Sequence, residues 1–175
     1  SHRIVAAGED ADTLVFDMRA GPRFRIGQVS VQGTPPEGEA RLKDRLRAGA
    51  GREWDASEMA RRVEEEIDRM REGGRYEARL DVTPSRRDGE PVVDLLIEVD
   101  AGPLVELVFE GDPLPKSRLG EFVPVRREGS VDEDLLEDSR RRIEQYLKGE
   151  GYWRAAVEYR RTASDGRLRV VFDVR

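Results

Sequence analysis

The sequence has no cysteine and a single histidine, His2, in 175 residues. It therefore offers no disulfide, no thiolate nucleophile and no cluster of soft metal ligands. It also lacks a glycine-rich phosphate loop, a nucleophile elbow and any metal-ligand spacing. Aspartate and glutamate are abundant, but they lie along predicted helix faces rather than converging on one place. These absences predict a protein that is not an enzyme and that carries no cofactor.

Long apolar runs and a basic charge balance are missing as well. No stretch approaches the roughly 18 apolar residues of a membrane-spanning helix. The net charge is −6, and 39% of the residues are charged. An acidic chain binds the phosphate backbone of a nucleic acid poorly. We therefore expect protein partners and no nucleic acid.

An internal repeat at a spacing of 77 residues is the main positive feature of the sequence. Asp55 recurs as Asp132, Gly74 as Gly151, and Asp88-Gly89 as Asp165-Gly166. Apolar positions keep the offset in the pairs Met59/Leu136, Leu80/Val157, Val93/Val170, Leu95/Phe172 and Ile97/Val174. Two copies of one small module indicate an array, an architecture that usually serves binding.

The first copy predicts the element order β-α-α-β-β. Phe24 to Gln32 is expected to form a strand that ends at Gly33, and Ala40 to Ala48 a short amphipathic helix. After a second helix, alternating apolar residues from Tyr76 to Val82 and from Val93 to Val99 predict a hairpin. We expect its loop, around Asp88-Gly89, to be longer than two residues.

The second helix of each copy begins at a capping aspartate. Asp55, followed by Glu58 at the third helical position, predicts a capping box, and Trp54 is interpreted as half of a hydrophobic staple rather than a binding anchor. The predicted buried stripe is Met59, Val63, Ile67 and Met70. On the opposite, solvated face we expect the ion pairs Glu58/Arg62 and Glu65/Arg69.

The second copy repeats this order, and the N-terminal residues repeat only its end. The second copy comprises a strand Leu104–Glu110, a weak helix Arg118–Val123, a helix Asp132–Lys148 and a hairpin of Trp153–Tyr159 with Leu168–Val174. Ile4–Ala7 and Thr13–Met18, around Gly8-Glu9-Asp10, predict a hairpin without helices. We therefore predict three units joined without flexible linkers: residues 1–21, the hairpin of a preceding module; 22–101, a full module; and 102–175, a second full module.

The sequence resembles a tandem of POTRA (polypeptide-transport-associated) domains over nearly all of its length. The residues that carry the resemblance are Gly102-Pro103, the closing Gly111, the Asp132 cap, Leu147-Lys-Gly-Glu-Gly151-Tyr152, Ala155 and the Asp165-Gly166 turn. The first copy departs from the family pattern at Gly74-Arg75-Tyr76, where the family usually has Gly-Tyr. Its aromatic residue is therefore displaced by one position.

The resemblance implies an α+β fold of tandem POTRA modules, each with two helices covering one face of a three-stranded mixed sheet. The chain resembles POTRA regions of outer-membrane assembly factors of the BamA/TamA type. That similarity implies a periplasmic location, as the soluble part of an outer-membrane protein. The implied partners are unfolded outer-membrane β-barrel proteins, accessory periplasmic proteins or lipoproteins, and a membrane β-barrel later in the same parent chain.

Two other functions remain open at this point. One is the POTRA region of a two-partner secretion transporter, which guides a single dedicated client. The other is a generic periplasmic protein-interaction module. Three modules in tandem disfavour a division protein, in which one such domain follows a membrane helix.

The candidate binding site is the first strand of each hairpin, which we expect at a sheet edge. An edge strand can accept an incoming strand through backbone hydrogen bonds. The alternative is that Glu77, Arg79 and Asp81 only protect an ordinary edge from aggregation. We expect Arg79→Pro to remove one backbone donor from this edge. The candidate residues are Tyr76, Glu77, Ala78, Arg79, Leu80, Asp81, Val82, Trp153, Arg154, Ala155, Ala156, Val157, Glu158 and Tyr159.

Aromatic and basic clusters admit two interpretations each. We expect Tyr152, Trp153 and Tyr159 to pack into the second core, the alternative being an exposed patch for a partner. We expect Arg126-Arg127 and Arg140-Arg141-Arg142 to be solvated and paired with Glu137 and Asp138. The alternative for these arginines is contact with anionic lipid head groups.

Overall fold

The computed structural model describes residues 2–6, 12–16 and 21–175. Its strands are β1 (His2–Ala6), β2 (Asp12–Phe16), β3 (Arg25–Gly33), β4 (Arg79–Arg86), β5 (Val92–Asp100), β6 (Leu104–Gly111), β7 (Val157–Ser164) and β8 (Arg167–Val174). Its helices are α1 (Glu39–Arg45), α2 (Ala56–Glu72), α3 (Leu119–Phe122), α4 (Val125–Glu128) and α5 (Glu133–Gly149), and a 3₁₀ turn covers Lys116–Arg118. No helix in these described ranges is long and apolar enough to cross a membrane.

Two three-stranded mixed sheets form the centre of the two modules. Their strand orders are β3-β5-β4 and β6-β8-β7. In each sheet the last strand lies in the middle, parallel to the first strand and antiparallel to the strand before it. The predicted fold class is therefore confirmed. The module boundaries at residues 21/22 and 101/102 remain predictions.

The N-terminal strands β1 and β2 pair antiparallel to each other as a separate two-stranded sheet. The predicted hairpin is therefore present between them. Its predicted turn, Gly8-Glu9-Asp10, lies outside the described residues, as do Ala7 and Met18. Assignment of residues 1–21 to a preceding module remains a prediction.

The repeat offset changes within the hairpins. Leu80 lies opposite Val99, and Val157, its counterpart at an offset of 77, lies opposite Val174. The structural counterpart of Val99 is therefore Val174, an offset of 75, so the predicted pairs in the last strand were two residues out of register. The cause is the turn: Asp165 and Gly166, both with positive φ, form a two-residue connection, whereas four residues, 88–91, lie between the hydrogen-bonded pair Arg87 and Val92. The longer predicted loop is thus found only in the first module.

Each core lies between the sheet and the helices. In the first module the buried residues include Leu42 and Leu46 of the first helical segment, and Met59 and Met70 of α2. Trp54 is partly buried against the same cluster, in the position expected of a staple. In the second module the helical contribution is Leu136, Ser139, Ile143 and Leu147. Ser139 is tolerated there because its hydroxyl donates to the Leu135 carbonyl at 2.7 Å.

The aspartate caps form as predicted, but the capping box does not. The Asp55 carboxylate accepts the Glu58 N–H at 3.0 Å, and the Asp132 carboxylate accepts the Leu135 N–H at 2.8 Å. The Glu58 side chain pairs with Arg61 and Arg62 instead of returning to the cap. The predicted pair Glu65/Arg69 is also absent from the described ion pairs, because Glu65 pairs with Arg61 and Arg69 with Glu66.

The predicted helix Arg118–Val123 is present as the short helix α3, and a second short helix, α4, follows it. Pro124 has no N–H to continue a helix, and it separates α3 from α4. Phe122, Val123 and Val125 nevertheless reach the second core. The segment thus supplies the packing of a first helix without its regular hydrogen bonds.

Candidate functional site

The candidate site is the outer edge of the strand β7, with β4 as its counterpart in the first module. Both strands lie at a sheet edge, as predicted. They begin later than predicted, since β4 starts at Arg79 and β7 at Val157. Of the candidate residues, Tyr76, Glu77, Ala78, Trp153, Arg154 and Ala155 lie in turns before the strands, and Ala156 precedes the first residue of β7. Arg79, Leu80, Asp81, Val82, Val157, Glu158 and Tyr159 lie on the strands.

The direction of the backbone groups of β7 follows from one residue pair. Ala156 and Arg175 exchange two N–H···O hydrogen bonds, both of 2.9 Å. In an antiparallel pair the hydrogen-bonded positions alternate, so the groups of every second residue point away from the partner strand. The outward-pointing residues of β7 are therefore Val157, Tyr159, Arg161 and Ala163.

Helix α5 covers the first of these four positions. The Glu144 carboxylate accepts the Val157 N–H at 3.2 Å and also pairs with Arg140 at 2.6 Å. Within residues 21–175, the outward N–H groups of Tyr159, Arg161 and Ala163 have no hydrogen-bond partner. The open part of the edge is thus residues 159–163.

The edge of β4 differs by one proline. The Arg87 N–H donates to the Val92 carbonyl at 3.1 Å, which places Arg79 among the inward-pointing positions and Pro84 among the outward-pointing ones. Pro84 therefore leaves the ladder to β5 intact and removes a donor from the middle of the free edge. The expectation that Arg79→Pro tests this edge is wrong, because its N–H faces β5.

The side chains around the open edge of β7 are polar and mostly solvated. Residues 160–164 are all exposed. Arg160 pairs across the sheet with Glu110 at 3.3 Å, on the face that carries no helices. Tyr159 belongs to the helix-covered face, where it and Phe109 flank Phe172 at centroid distances of 6.0 and 5.5 Å. This aromatic row crosses all three strands and stiffens the sheet at the start of its open edge.

The prediction for the three aromatic residues was correct only for Tyr159. Tyr159 packs against the second core, whereas Tyr152 is 62% and Trp153 81% exposed. The reason is the late start of β7, because residues 151–156 form a turn that carries Trp153 away from the helices. The exposed-patch alternative therefore describes Tyr152 and Trp153.

Of the basic clusters, Arg140 and Arg141 pair with the expected partners Glu137 and Asp138, whereas Arg126 pairs with another residue. Arg140 lies 2.7 Å from Glu137, Arg141 2.8 Å from Asp138, and Arg126 2.7 Å from Glu72 of the first module. The hydrogen bond from Arg140 lowers the pKa of Glu137 below its ordinary value. These pairs leave little uncompensated positive charge on α5 for lipid head groups.

Sequence reasoning missed a buried charge and a joint between the modules. Glu66 is only 3% exposed and pairs with Arg45 at 2.8 Å and with Arg69 at 2.7 Å. At the joint, the Gly74 carbonyl accepts the Val105 N–H at 2.9 Å and Tyr76 packs against the second core. The displaced aromatic of the first copy was the available signal for that joint.

Across the described residues, no group of three or more histidine, aspartate or glutamate side chains is placed to hold a metal ion. What the described residues offer a partner at this site is the open backbone edge of β7 and the exposed side chains of Tyr152 and Trp153.

Comparison with known families identifies the class of the second module. Each of the two units has its own mixed three-stranded sheet and its own hydrophobic core. The model of the POTRA family, described as "Surface antigen variable number repeat", matches residues 105–175. The resemblance to POTRA domains found in the sequence is thus confirmed over residues 105–175.

Several solved structures are similar to the chain. The POTRA domains 3–5 of BamA from Haemophilus influenzae are 22% identical over 87% of this chain, with a TM-score of 0.40. POTRA1-2 of the periplasmic domain of Omp85 from Anabaena is 19% identical over 89% of it, with a TM-score of 0.39. CdiB from Escherichia coli is 18% identical over 88% of it, with a TM-score of 0.38.

The share of each known structure that is covered varies widely. The chain spans 61% of the Haemophilus chain, 96% of the Anabaena chain and 27% of CdiB. Comparison with curated proteins gives no match.

Proposed function

We propose that this chain is the POTRA region of an outer-membrane β-barrel assembly factor and that it acts as a non-catalytic periplasmic scaffold. In this role it receives unfolded outer-membrane proteins and docks accessory periplasmic proteins or lipoproteins. A membrane β-barrel in the same parent chain then takes the client over. The POTRA match of residues 105–175 supports the class, and the β7 edge supports the mode of binding.

The observation that carries the proposal is the run of open backbone groups on β7. Tyr159, Arg161 and Ala163 each present one N–H and one C=O outward, so the edge offers six hydrogen-bonding groups in register. An extended segment can pair with them through its own backbone, whatever its side chains are. Binding of this kind suits clients that share strand structure and differ in sequence.

The first module is less suited to the same task. Pro84 interrupts the free edge of β4 between Val82 and Arg86. A strand added there would lose one hydrogen bond in the middle of its length, worth about 0.5–1.5 kcal/mol net. We therefore assign strand addition to the second module.

The test is binding of a labelled peptide with the sequence of one strand of an outer-membrane barrel, measured by fluorescence anisotropy. Arg161→Pro removes an outward N–H and leaves the ladder to β8 intact. We expect it to weaken binding by about 2- to 10-fold, the equivalent of one net hydrogen bond. Arg161→Ala is the matched control, because it removes the same charge and keeps the N–H.

Comparing the peptide affinities of these two variants separates the two interpretations of the β7 edge. Strand addition requires weaker binding by Arg161→Pro than by Arg161→Ala. Equal affinities for both variants would contradict it and leave β7 as a protected edge. A scan of unrelated strand peptides then separates the functions: an assembly factor binds many of them, whereas a two-partner secretion transporter binds those of one client.

A further inference from the structure

The turn between α5 and β7 shares two backbone hydrogen bonds with the turn between α2 and β4. The Arg75 N–H donates to the Met70 carbonyl at 2.9 Å, and the Tyr152 N–H donates to the Leu147 carbonyl at 2.9 Å. The Ala78 N–H donates to the Arg75 carbonyl at 3.2 Å, and the Ala155 N–H to the Tyr152 carbonyl at 2.9 Å. Tyr76 and Trp153 therefore occupy the same place on the same turn.

In the first module this turn is in direct contact with the next module. The Gly74 carbonyl accepts the N–H of Val105, and the Arg75 guanidinium donates to the Gly102 carbonyl at 2.6 Å. The Glu77 carboxylate accepts the Val131 N–H at 3.3 Å, and Tyr76 packs against the second core. One turn thus contacts β6, the connection before it and the cap of α5.

In the second module the same place is uncovered. Trp153 is 81% exposed, and Ala155 is partly exposed where Ala78 is only 2% exposed. Beside Trp153 lies an open, mainly apolar cleft of about 410 Å³, lined also by Pro113, Leu147 and Arg175. An exposed tryptophan at an apolar cleft is uncommon on a free surface and marks a contact site.

We propose that the Tyr152–Trp153 turn is the docking surface for a further module of the same fold, which continues the polypeptide after Arg175. Register places Arg175 where Asp100 stands in the first module, where three residues, 101–103, lie between that position and the next first strand. A module attached at that point is held beside the cleft by a short tether, so its effective concentration there is high. Trp153 would then take the role that Tyr76 takes in the first joint.

The residues of the turn also indicate what the docking face must present. Glu77, which accepts an N–H in the first joint, is replaced by Arg154 in the second, so the facing group must be an acceptor rather than a donor. Arg75, which donates to the Gly102 carbonyl, is replaced by Tyr152, a mainly apolar group. The partner face is therefore a largely apolar module surface with a carboxylate or a free carbonyl opposite Arg154.

The test compares the 175-residue chain with the natural polypeptide that extends beyond Arg175, by hydroxyl-radical footprinting read residue by residue. We expect oxidation of Trp153 to be fast in the 175-residue chain and slower by roughly twofold or more in the longer polypeptide. Tyr76 is the internal control, because its joint is present in both and its oxidation should not change. Since Trp153 is so exposed, Trp153→Ala leaves the second module folded.

A second measurement distinguishes docking from mere proximity. In the longer polypeptide, Trp153→Ala should raise protease cleavage in the connection after Arg175. In the 175-residue chain, Tyr76→Ala should raise cleavage at residues 101–103 in the same way. Unchanged oxidation of Trp153 on extension would overturn the proposal. Protection of Trp153 that requires an added client peptide or a second copy of the chain would also overturn it. The same holds for a natural polypeptide with no module of this fold after Arg175.

Discussion

Gly111, which closes the strand β6, gives the sharpest test of how each sheet is held together. Its φ is +87°, and a Cβ at this position would lie 1.9 Å from the Val174 carbonyl oxygen. The same carbonyl accepts the Asp112 N–H at 3.0 Å. Gly33 repeats the arrangement in the first module, with φ +94° and a Cβ contact of 1.9 Å to the Val99 carbonyl. Only glycine lets the first strand end against the central strand in this way.

The cost of Gly111→Ala has two parts. Positive φ costs a residue with a side chain about 1–2 kcal/mol. The methyl group must also retreat by about 1.5 Å to reach ordinary contact, which breaks the Asp112–Val174 hydrogen bond and costs about 0.5–1.5 kcal/mol more. We therefore expect a loss of about 2–3 kcal/mol, a large part of the stability of so small a module.

The measurement is urea unfolding combined with hydrogen exchange, which reports the amides of β8 and β5 separately. Gly166→Ala is the matched control in the same module, because φ is +71° there and nothing lies within 4 Å of the added Cβ. It should cost only the conformational part, about 1 kcal/mol. Gly33→Ala should lower the protection of the β5 amides from hydrogen exchange, as Gly111→Ala should lower that of the β8 amides. The reasoning is refuted if Gly111→Ala costs no more than Gly166→Ala.

Three further predictions concern charged side chains. Glu66→Ala leaves Arg45 without its buried partner and should lower the free energy of unfolding, measured by urea titration, by about 3 kcal/mol. Glu66→Gln keeps a hydrogen-bond acceptor and should lower that free energy clearly less. The hydrogen bond from the Leu135 N–H, and after it that from Ser130, lowers the pKa of Asp132. The contribution of Asp132 to stability is therefore present above about pH 4 and is lost as pH falls through the lowered pKa. Asp132→Asn keeps the cap, so the unfolding free energy of this variant should fall less steeply below pH 4 than that of the unsubstituted chain, and parallel curves would contradict the prediction. Glu144→Ala should lower the free energy of unfolding by about 1–2 kcal/mol, because it removes the acceptor of the Val157 N–H. It should also strengthen the binding of a strand peptide, measured by fluorescence anisotropy, because it opens one more position of the β7 edge.

Local signals in the sequence predicted local structure well. The caps Asp55 and Asp132 could be identified because a capping aspartate accepts a hydrogen bond from the first turn of its own helix, three residues along the chain. The hairpins were placed too early because Tyr76 and Ala78 continue the alternation of Leu80 and Val82, although they lie in a turn. A strand pattern and a turn with one buried alanine look alike in a sequence when their apolar residues share a spacing of two.

Non-local features could not be predicted from the sequence. The two-residue shift between the last strands keeps every side chain on its own face, so hydrophobic periodicity does not detect it. The burial of Glu66 depends on Arg45, which reaches it from another helix. Which N–H groups of β7 point outward depends on the register with β8, and this register decides that Arg161, rather than Arg79, tests the edge.

The two proposed surfaces of the second module are adjacent along the chain but do not compete. The docking turn ends at Ala155, and the open edge begins at Tyr159. Between them, Ala156 is bonded to Arg175 and the Val157 N–H is held by Glu144, so an added strand cannot extend into the turn. A client strand on β7 and a following module at Trp153 can therefore bind together. In the first module Pro84 interrupts the free edge, and the corresponding turn already contacts the second module. Binding of a strand peptide should accordingly have the same affinity in the 175-residue chain and in the longer polypeptide, and a lower affinity in the longer one would show that the two surfaces overlap.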